Sequence, residues 1–288
     1  AVVVLNPGAT EHNGDVVLLL RVEGISGYSN IHVARSPNGV DNWDVDPEPI
    51  LQFGLPGLRY EKWGCEDARI VHLEEEDAWY ITYTAYSPAG SAVGLARTTD
   101  LKTAERVGLI FSPNNKDAVF FPCRFEDRWA ALHRPDAGGS IENIWIAYSR
   151  DLIYWGEPHC VLLEHSGPAW DGVKVGAGPP PVRTEHGWLL LYHGVKGYGA
   201  ELVYRVGAAL LDLKEPYRMT HRSPGCIMFP CGQEELSGLV PNVVFPTGLL
   251  RRDDELWMYY GAADTRVCLA RAKLQDVLNT LEPVSRRE

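Results

Sequence analysis

The feature that most constrains this chain is a plan of strands that recurs five times. Each copy has a short polar lead-in, an apolar strand, a charged turn, a second strand dense in aromatic and β-branched residues, and a third strand. The lead-ins are NPGAT at Asn6, EDARIVHL at Glu66, KDAVFFP at Lys116, GAGPPPVRT at Gly176 and PNVVFPTG at Pro241. The turns EHNGD, EEEDA, RFEDR, RTEHG and RRDDE follow, rich in residues that suit hairpins. Second strands read VVLLLRVEG, WYITYTAY, WAALHRP, WLLLYHGV and LWMYYGAAD. Lead-ins are spaced by roughly 50 to 65 residues, room for one four-stranded blade plus loops. The pattern predicts an all-β fold, a five-bladed β-propeller forming one domain over residues 1–288. A β-sandwich would also supply many short strands, but it gives no reason for strand order and turn chemistry to recur together. Only the tail RAKLQDVLNTL carries helical spacing, so a short C-terminal helix on the outside is expected.

Composition narrows the function. With 45% apolar and 23% charged residues the chain can fill a core, and a net charge of -11 argues against nucleic acid as a partner. An anionic substrate would need a local cluster of cations. No run of about 18 apolar residues exists, and the first residues lack the layout of a signal peptide, so a soluble cytoplasmic protein with no membrane partner is expected. The six cysteines form no CxxC pair, which predicts free, mostly buried thiols and no metal site. The sequence is compatible with a homo-oligomer and specifies none.

In an antiparallel hairpin the start of the first strand and the end of the second lie at one end of the sheet. If first strands line a channel, the residues at one mouth are Asn6, Glu66, Asp67, Lys116, Asp117, Pro241 and Asn242, with Arg21, Glu23, Tyr83, Tyr86, His133, Arg134, His193 and Asp264 from second-strand ends. Polar groups converging on a concavity suggest an active site. Each also has a plainer reading. Asp67 and Arg69, two apart on one strand, would pair with each other; the histidines would be core residues and the tyrosines packing. Lys174, between apolar and glycine residues, has no evident solvated face.

These positions resemble glycoside hydrolase family 130, the β-mannoside phosphorylases and related mannosidases, along nearly the whole chain. The matching strings are NPG at Asn6, RVE at Arg21, EDARI at Glu66, KDAVFFP at Lys116, HRP at His133, SRDLIYW at Ser149, KVGAGPPP at Lys174, WLLLYHGV at Trp188, YRVGAALLDL at Tyr204, PNVVFPTG at Pro241 and YYGAAD at Tyr259. The resemblance implies a five-bladed propeller and an inverting phosphorolysis that yields α-D-mannose 1-phosphate and a shortened sugar. It makes Asp67 the acid, relaying its proton through a mannosyl hydroxyl. It also implies phosphate binding by Lys116, Arg134, Lys174, His193 and Tyr204, and mannosyl binding by Asn6, Arg21 and Asp264. Glu66, Tyr83 and Asp117 join the substrate-binding candidates from their place at the mouth. Lys116 stands where the family usually has a stronger base, which keeps the charge but loses a bidentate fork. No cofactor is implied; inorganic phosphate would be a co-substrate.

Two other readings compete. A hydrolase on the same propeller would need a second carboxylate to activate water, about 6.5 to 9.5 Å from the acid, and Glu23, Glu66, Asp117 and Asp264 are candidates. A carbohydrate-binding propeller would use Trp43, Trp63 and the tyrosines as stacking platforms without turnover. Acceptor sugar and linkage depend on the loops GISGYSN, FGLPGLRYEKWG and GVKGYGAELV, where the sequence shows composition alone.

Overall fold

The computed structural model describes residues 2–136, 142–165, 167–199 and 201–284. Strands dominate, and those joined by hairpins pair antiparallel. The first repeat supplies Val3–His12, Asp15–Glu23 and Ser29–Ser36, the second Gly64–Leu73, Ala78–Ser87, Gly90–Thr98 and Glu105–Phe111. One parallel bridge, Ser29 to Gly64, joins them into an eight-stranded sheet. The third repeat is a separate four-stranded sheet, Asn115–Phe120, Trp129–Pro135, Ile144–Ser149 and Gly156–Leu162. The fourth is built on Lys174–Ala177, Trp188–Tyr198, Glu201–Leu211 and Met219–Arg222, and the last on Val244–Arg252, Glu255–Ala262 and Arg266–Lys273. The turn chemistry is as the residues demand. Asn13 and Gly14 both take positive φ, 53° and 88°, between the paired His12 and Asp15, which closes a two-residue hairpin.

Apolar side chains pack between consecutive sheets rather than within one. Leu19 and Val33 of the first repeat share a core with Ile70 and Ile81 of the second. Leu73 and Tyr80 then pack with Phe120 and Trp129, Leu132 and Ile146 with Val175 and Leu190, and Leu189 and Val206 with Val244 and Met258. A further core joins the last repeat to the first through Trp257, Tyr259, Leu18 and Leu20.

The first strands of the repeats are neighbours in space. They come close because two positions lack side chains: a Cβ on Gly8 would stand 2.6 Å from the Ala68 carbonyl oxygen, and one on Gly248 2.7 Å from that of Pro7. Backbones therefore meet along the axis, and polar side chains concentrate toward one end.

Two expectations need correction. The tail is helical over Leu274–Leu278, with Val277 buried, but a second helix, Gln233–Leu236, also forms. Its residues, Gln233, Glu234, Glu235 and Leu236, gave no apolar spacing to read; Glu235 instead turns back to accept from the backbone N–H groups of Cys231 and Gly232 and from the Tyr260 hydroxyl. All six cysteines are free, yet only Cys65 is buried; Cys160 and Cys231 are exposed because their strand and loop lie on outer edges. Among the described residues no helix is long and apolar enough to cross a membrane.

Candidate active site

One local device sets the site. The first strand of four repeats carries one residue more than its partner at a matching height: the register breaks between Leu5 and Gly8, between Glu66 and Arg69, opposite Leu132 and Arg134, and between Pro246 and Gly248. In three of them a left-handed residue stands in the bulge, Asn6 (φ 45°), Asp67 (φ 51°) and Asp117 (φ 53°). Asn and Asp tolerate this conformation better than other side-chain-bearing residues, and a bulge re-aims what it carries. Asp67 and Arg69 therefore do not pair through their side chains. The Asp67 carboxylate turns toward the first repeat, while Arg69 Nη1 donates to the Asp67 carbonyl oxygen at 2.8 Å and its Nη2 to Asp117 at 3.1 Å.

On one side of the mouth, carboxylates gather around a single arginine. Asn6 Nδ2 donates to Asp67 Oδ1 at 2.8 Å and Arg21 Nη1 to the same oxygen at 3.1 Å. Arg21 Nη2 donates to Glu66 (3.1 Å) and Glu23 (3.2 Å), and its Nε to Ser29 Oγ (2.9 Å). Asp67 Oδ2 takes no protein hydrogen bond among the described residues. The carboxyl is thus pinned by one oxygen and open at the other. Burial pushes Glu66 up to about 7, with Asp67 and Glu23 reinforcing it against Arg21. Burial, then Asp67, pushes Asp264 up to about 6. Burial alone would lower Arg21, but Asp67 and Glu66 outweigh it and hold its charge.

On the other side the signs are reversed. Asp117, 1% exposed, lies 3.1 Å from Arg69, 3.0 Å from Arg134 and 3.7 Å from His193 Nε2. Burial alone would raise its pKa, but Arg134 and Arg69 carry it below the usual carboxylate range. Arg134 reaches Glu142 through Nε at 2.8 Å and donates from Nη1 to His193 Nε2 at 2.9 Å. Burial drives His193 well below its ordinary pKa, and because arginine can only donate, Nε2 is the nitrogen that accepts. The ring fits because position 176 is glycine: a Cβ there would lie 2.6 Å from both His193 Nε2 and Asp117 Oδ2. Lys174 Nζ sits 5.7 Å from the centre of the Tyr204 ring. Lys116 lies between the two sides, its charge felt by Glu66 and Asp264 as well as by Asp117 and Tyr204. Neither lysine has an ion-pair partner among the described residues.

Four residues stand elsewhere than the sequence suggested. Tyr83 is 3% exposed and donates to Glu61 Oε1 at 2.6 Å; it faces the bulge from below and belongs to the core between the first two repeats. Asp117 is enclosed by arginines and is not on the open wall. His133 is buried, stacked on Phe111 with ring centres 4.1 Å apart and partnered by Asn115, and burial pulls it down to about 4. Trp43 packs edge-on against Tyr259 and lines an outer groove of about 620 Å³ that contains none of the candidate residues. Arg69 and Glu142 were missed. The signal for Arg69 was its two-residue offset from Asp67 in a strand whose lead-in contains a bulge-tolerant Asp; Glu142 gave none. Among the described residues no group of three or more His, Cys, Asp and Glu is placed to hold a metal ion.

Comparison with known proteins bears on this arrangement. A family model described as beta-1,4-mannooligosaccharide phosphorylase matches residues 1–283. A beta-1,2-mannobiose phosphorylase of Listeria innocua is 38% identical over 91% of this chain and 72% of its own length. A solved beta-1,2-mannobiose phosphorylase from Listeria innocua, in complex with beta-1,2-mannobiose, superposes with a TM-score of 0.88 at 31% identity, covering 97% of this chain and 92% of that one. Another solved structure, TM-score 0.84 at 25% identity over 96% of this chain and 85% of that one, is described as showing that the family of mannoside phosphorylases contains glycoside hydrolases that target beta-1,2 mannosidic linkages in Candida mannan. On the match across nearly its full length, the chain belongs to glycoside hydrolase family 130.

Proposed function

We propose that this protein is an inverting β-mannoside phosphorylase, and that its sheets are the five blades of one propeller domain. The blade count treats the eight-stranded sheet as two, since a single parallel bridge joins its halves, and the core shared by Trp257 and Leu18 supports closure of the ring. The relatives named above act on mannobiose or manno-oligosaccharides as phosphorylases.

The observation that carries the reaction type is the contrast between the two sides of the mouth. Among the described residues, one Asp67 carboxyl oxygen takes no hydrogen bond, while the facing side offers Lys116 and Lys174 without ion-pair partners and no carboxylate free of arginine to serve as base. Asp117 and Glu142 are both engaged by arginine. A hydrolase needs a base where these cations stand; phosphate brings its own negative charge and needs cations to position it. A phosphate oxygen attacks the anomeric carbon from the face opposite the glycosidic oxygen. That bond breaks, the configuration inverts, and the proton held by Asp67 passes to the leaving sugar, through a mannosyl hydroxyl as the family resemblance implies. Asn6, Arg21 and Asp264 hold the mannosyl unit. Lys116, Lys174 and Tyr204 receive the phosphate, with Arg134 and His193 behind them. Incubation of β-1,2- and β-1,4-mannobiose with and without inorganic phosphate tests this: phosphate-dependent α-mannose 1-phosphate is expected. Free mannose at equal rates without phosphate would favour the hydrolytic reading, which the relative acting on Candida mannan keeps in view.

A further inference from the structure

The loop between Ser36 and Gly64 is held rigidly at the mouth. Glu61, 4% exposed, accepts from the Tyr83 hydroxyl at 2.6 Å and from Arg106 Nε at 2.8 Å, and Arg106 Nη2 donates to the Gln52 carbonyl at 2.7 Å. Burying one carboxylate with a guanidinium and a phenol is costly unless each is satisfied, and here the second half of the loop is tied to the second repeat at Gln52 and Glu61. The loop's last residue is Trp63. Its backbone N–H donates to the Tyr86 carbonyl at 2.9 Å, and the two rings meet at 5.4 Å in an edge-to-face pair.

Tyr86 is 39% exposed and pairs in register with Gly64, while Glu66 pairs with Thr84. Residues two apart on a strand share a face. Tyr86 thus stands on the Glu66 face, one strand pair further out, and the Glu66 carboxyl leans toward it: a Cβ on Gly64 would lie 3.1 Å from Glu66 Oε1. An exposed Tyr86 and a half-buried Trp63 beside polar groups, fixed by an edge-to-face contact and a buried anchor, form a rigid apolar platform that costs little entropy to use.

We propose that Trp63 and Tyr86 form a subsite for a sugar ring of the departing oligosaccharide. This rests on the phosphorylase reading. The chemistry fixes the side: the acid protonates the leaving oxygen, so the leaving chain runs outward along the acid's own strand, and Gly64 is three residues outward of Asp67. Two residues of strand, about 6.6 Å from Glu66 to Gly64, are comparable to one hexose. The apolar face of a pyranose lies on an aromatic ring, while Glu66, Arg21 and the Trp63 indole N–H, which has no partner among the described residues, meet its hydroxyls.

The test compares two donors in Trp63→Ala and Tyr86→Ala: the better wild-type substrate among β-1,2- and β-1,4-mannotriose, and β-mannosyl fluoride, whose leaving group fills no sugar subsite. Loss of the platform should lower kcat/KM for the trisaccharide about ten-fold more than for the fluoride. Trp63→Phe should recover part of that difference, and the KM for phosphate should stay within about two-fold. Equal losses on both donors, or an unchanged trisaccharide, overturn the subsite. A wild-type protein that releases no α-mannose 1-phosphate from either donor instead sinks the phosphorylase reading itself.

Discussion

The two sides of the mouth are built from the same ingredients with the signs exchanged. On one, Arg21 is surrounded by Glu23, Glu66 and Asp67. On the other, Asp117 is surrounded by Arg69, Arg134 and His193. In each case the central charge is the one that cannot leave, and the surplus sets what the side can do. On the acidic side burial, reinforced by the neighbouring carboxylates, raises Glu66 to about 7 and Asp264, beside this group, to about 6. On the facing side Arg69 and Arg134 are balanced by Asp117 and Glu142, so it is Lys116 and Lys174, without ion-pair partners among the described residues, that leave a positive field for an anion. On the proposed reading a proton donor and an anion site thus stand side by side at one mouth.

Breaking the acidic side at its open oxygen has the largest expected effect. Asp67→Asn keeps the shape but holds no transferable proton, so turnover of a β-mannobiose should fall by about 10² to 10⁴. Phosphorolysis of β-mannosyl fluoride should fall much less, and the melting temperature should hold. Early melting with equal losses on both donors would assign Asp67 a structural role instead.

Removing the carboxylate at the centre of the other side attacks the fold before the chemistry. Asp117→Ala leaves Arg69 and Arg134 buried with a partner missing, which should cost about 3 to 5 kcal/mol in denaturant unfolding. A loss below about 1 kcal/mol would mean that the buried network does not hold this wall. Lys174→Ala sharpens the contrast from the open face: it should weaken phosphate use by about ten- to a hundred-fold, leave stability nearly intact, and spare binding of the mannosyl unit. Unchanged dependence on phosphate concentration would move the anion site elsewhere.

The most gradual effect is on pH. Glu66 binds its proton more tightly folded than unfolded, about 7 against an ordinary 4.5. The native state therefore holds more protons in that window, and stability is lost as pH rises from about 4.5 to 7, by at most about 1.4 kcal/mol per pH unit for one proton. In Glu66→Gln this decline should flatten; an identical pH–stability curve would show that Asp264 or another group carries it.

The repeat was legible because each strand's apolar run and turn are local in sequence. So were the lead-ins that bring Asn6, Asp67 and Lys116 to one end. Pairings that cross between repeats were not: Arg69 meets Asp117, and Arg134 meets His193, only after the sheets pack side by side. Tyr83 misled for a related reason. Alternation counted from the second strand alone points it toward the mouth, but it lies opposite the bulge residues, where the partner's extra residue breaks the pairing, and it turns to Glu61.

That extra residue has a consequence for how such a protein can change. In an unbroken strand the parity of every position is tied to every other, so altering which residues face outward at one end disturbs the packing at the other. A bulge at the same height in four first strands resets the parity there. The segments beyond it can be rewritten for a new sugar without asking the core below to follow. For an engineer, the bulges mark where a graft should begin.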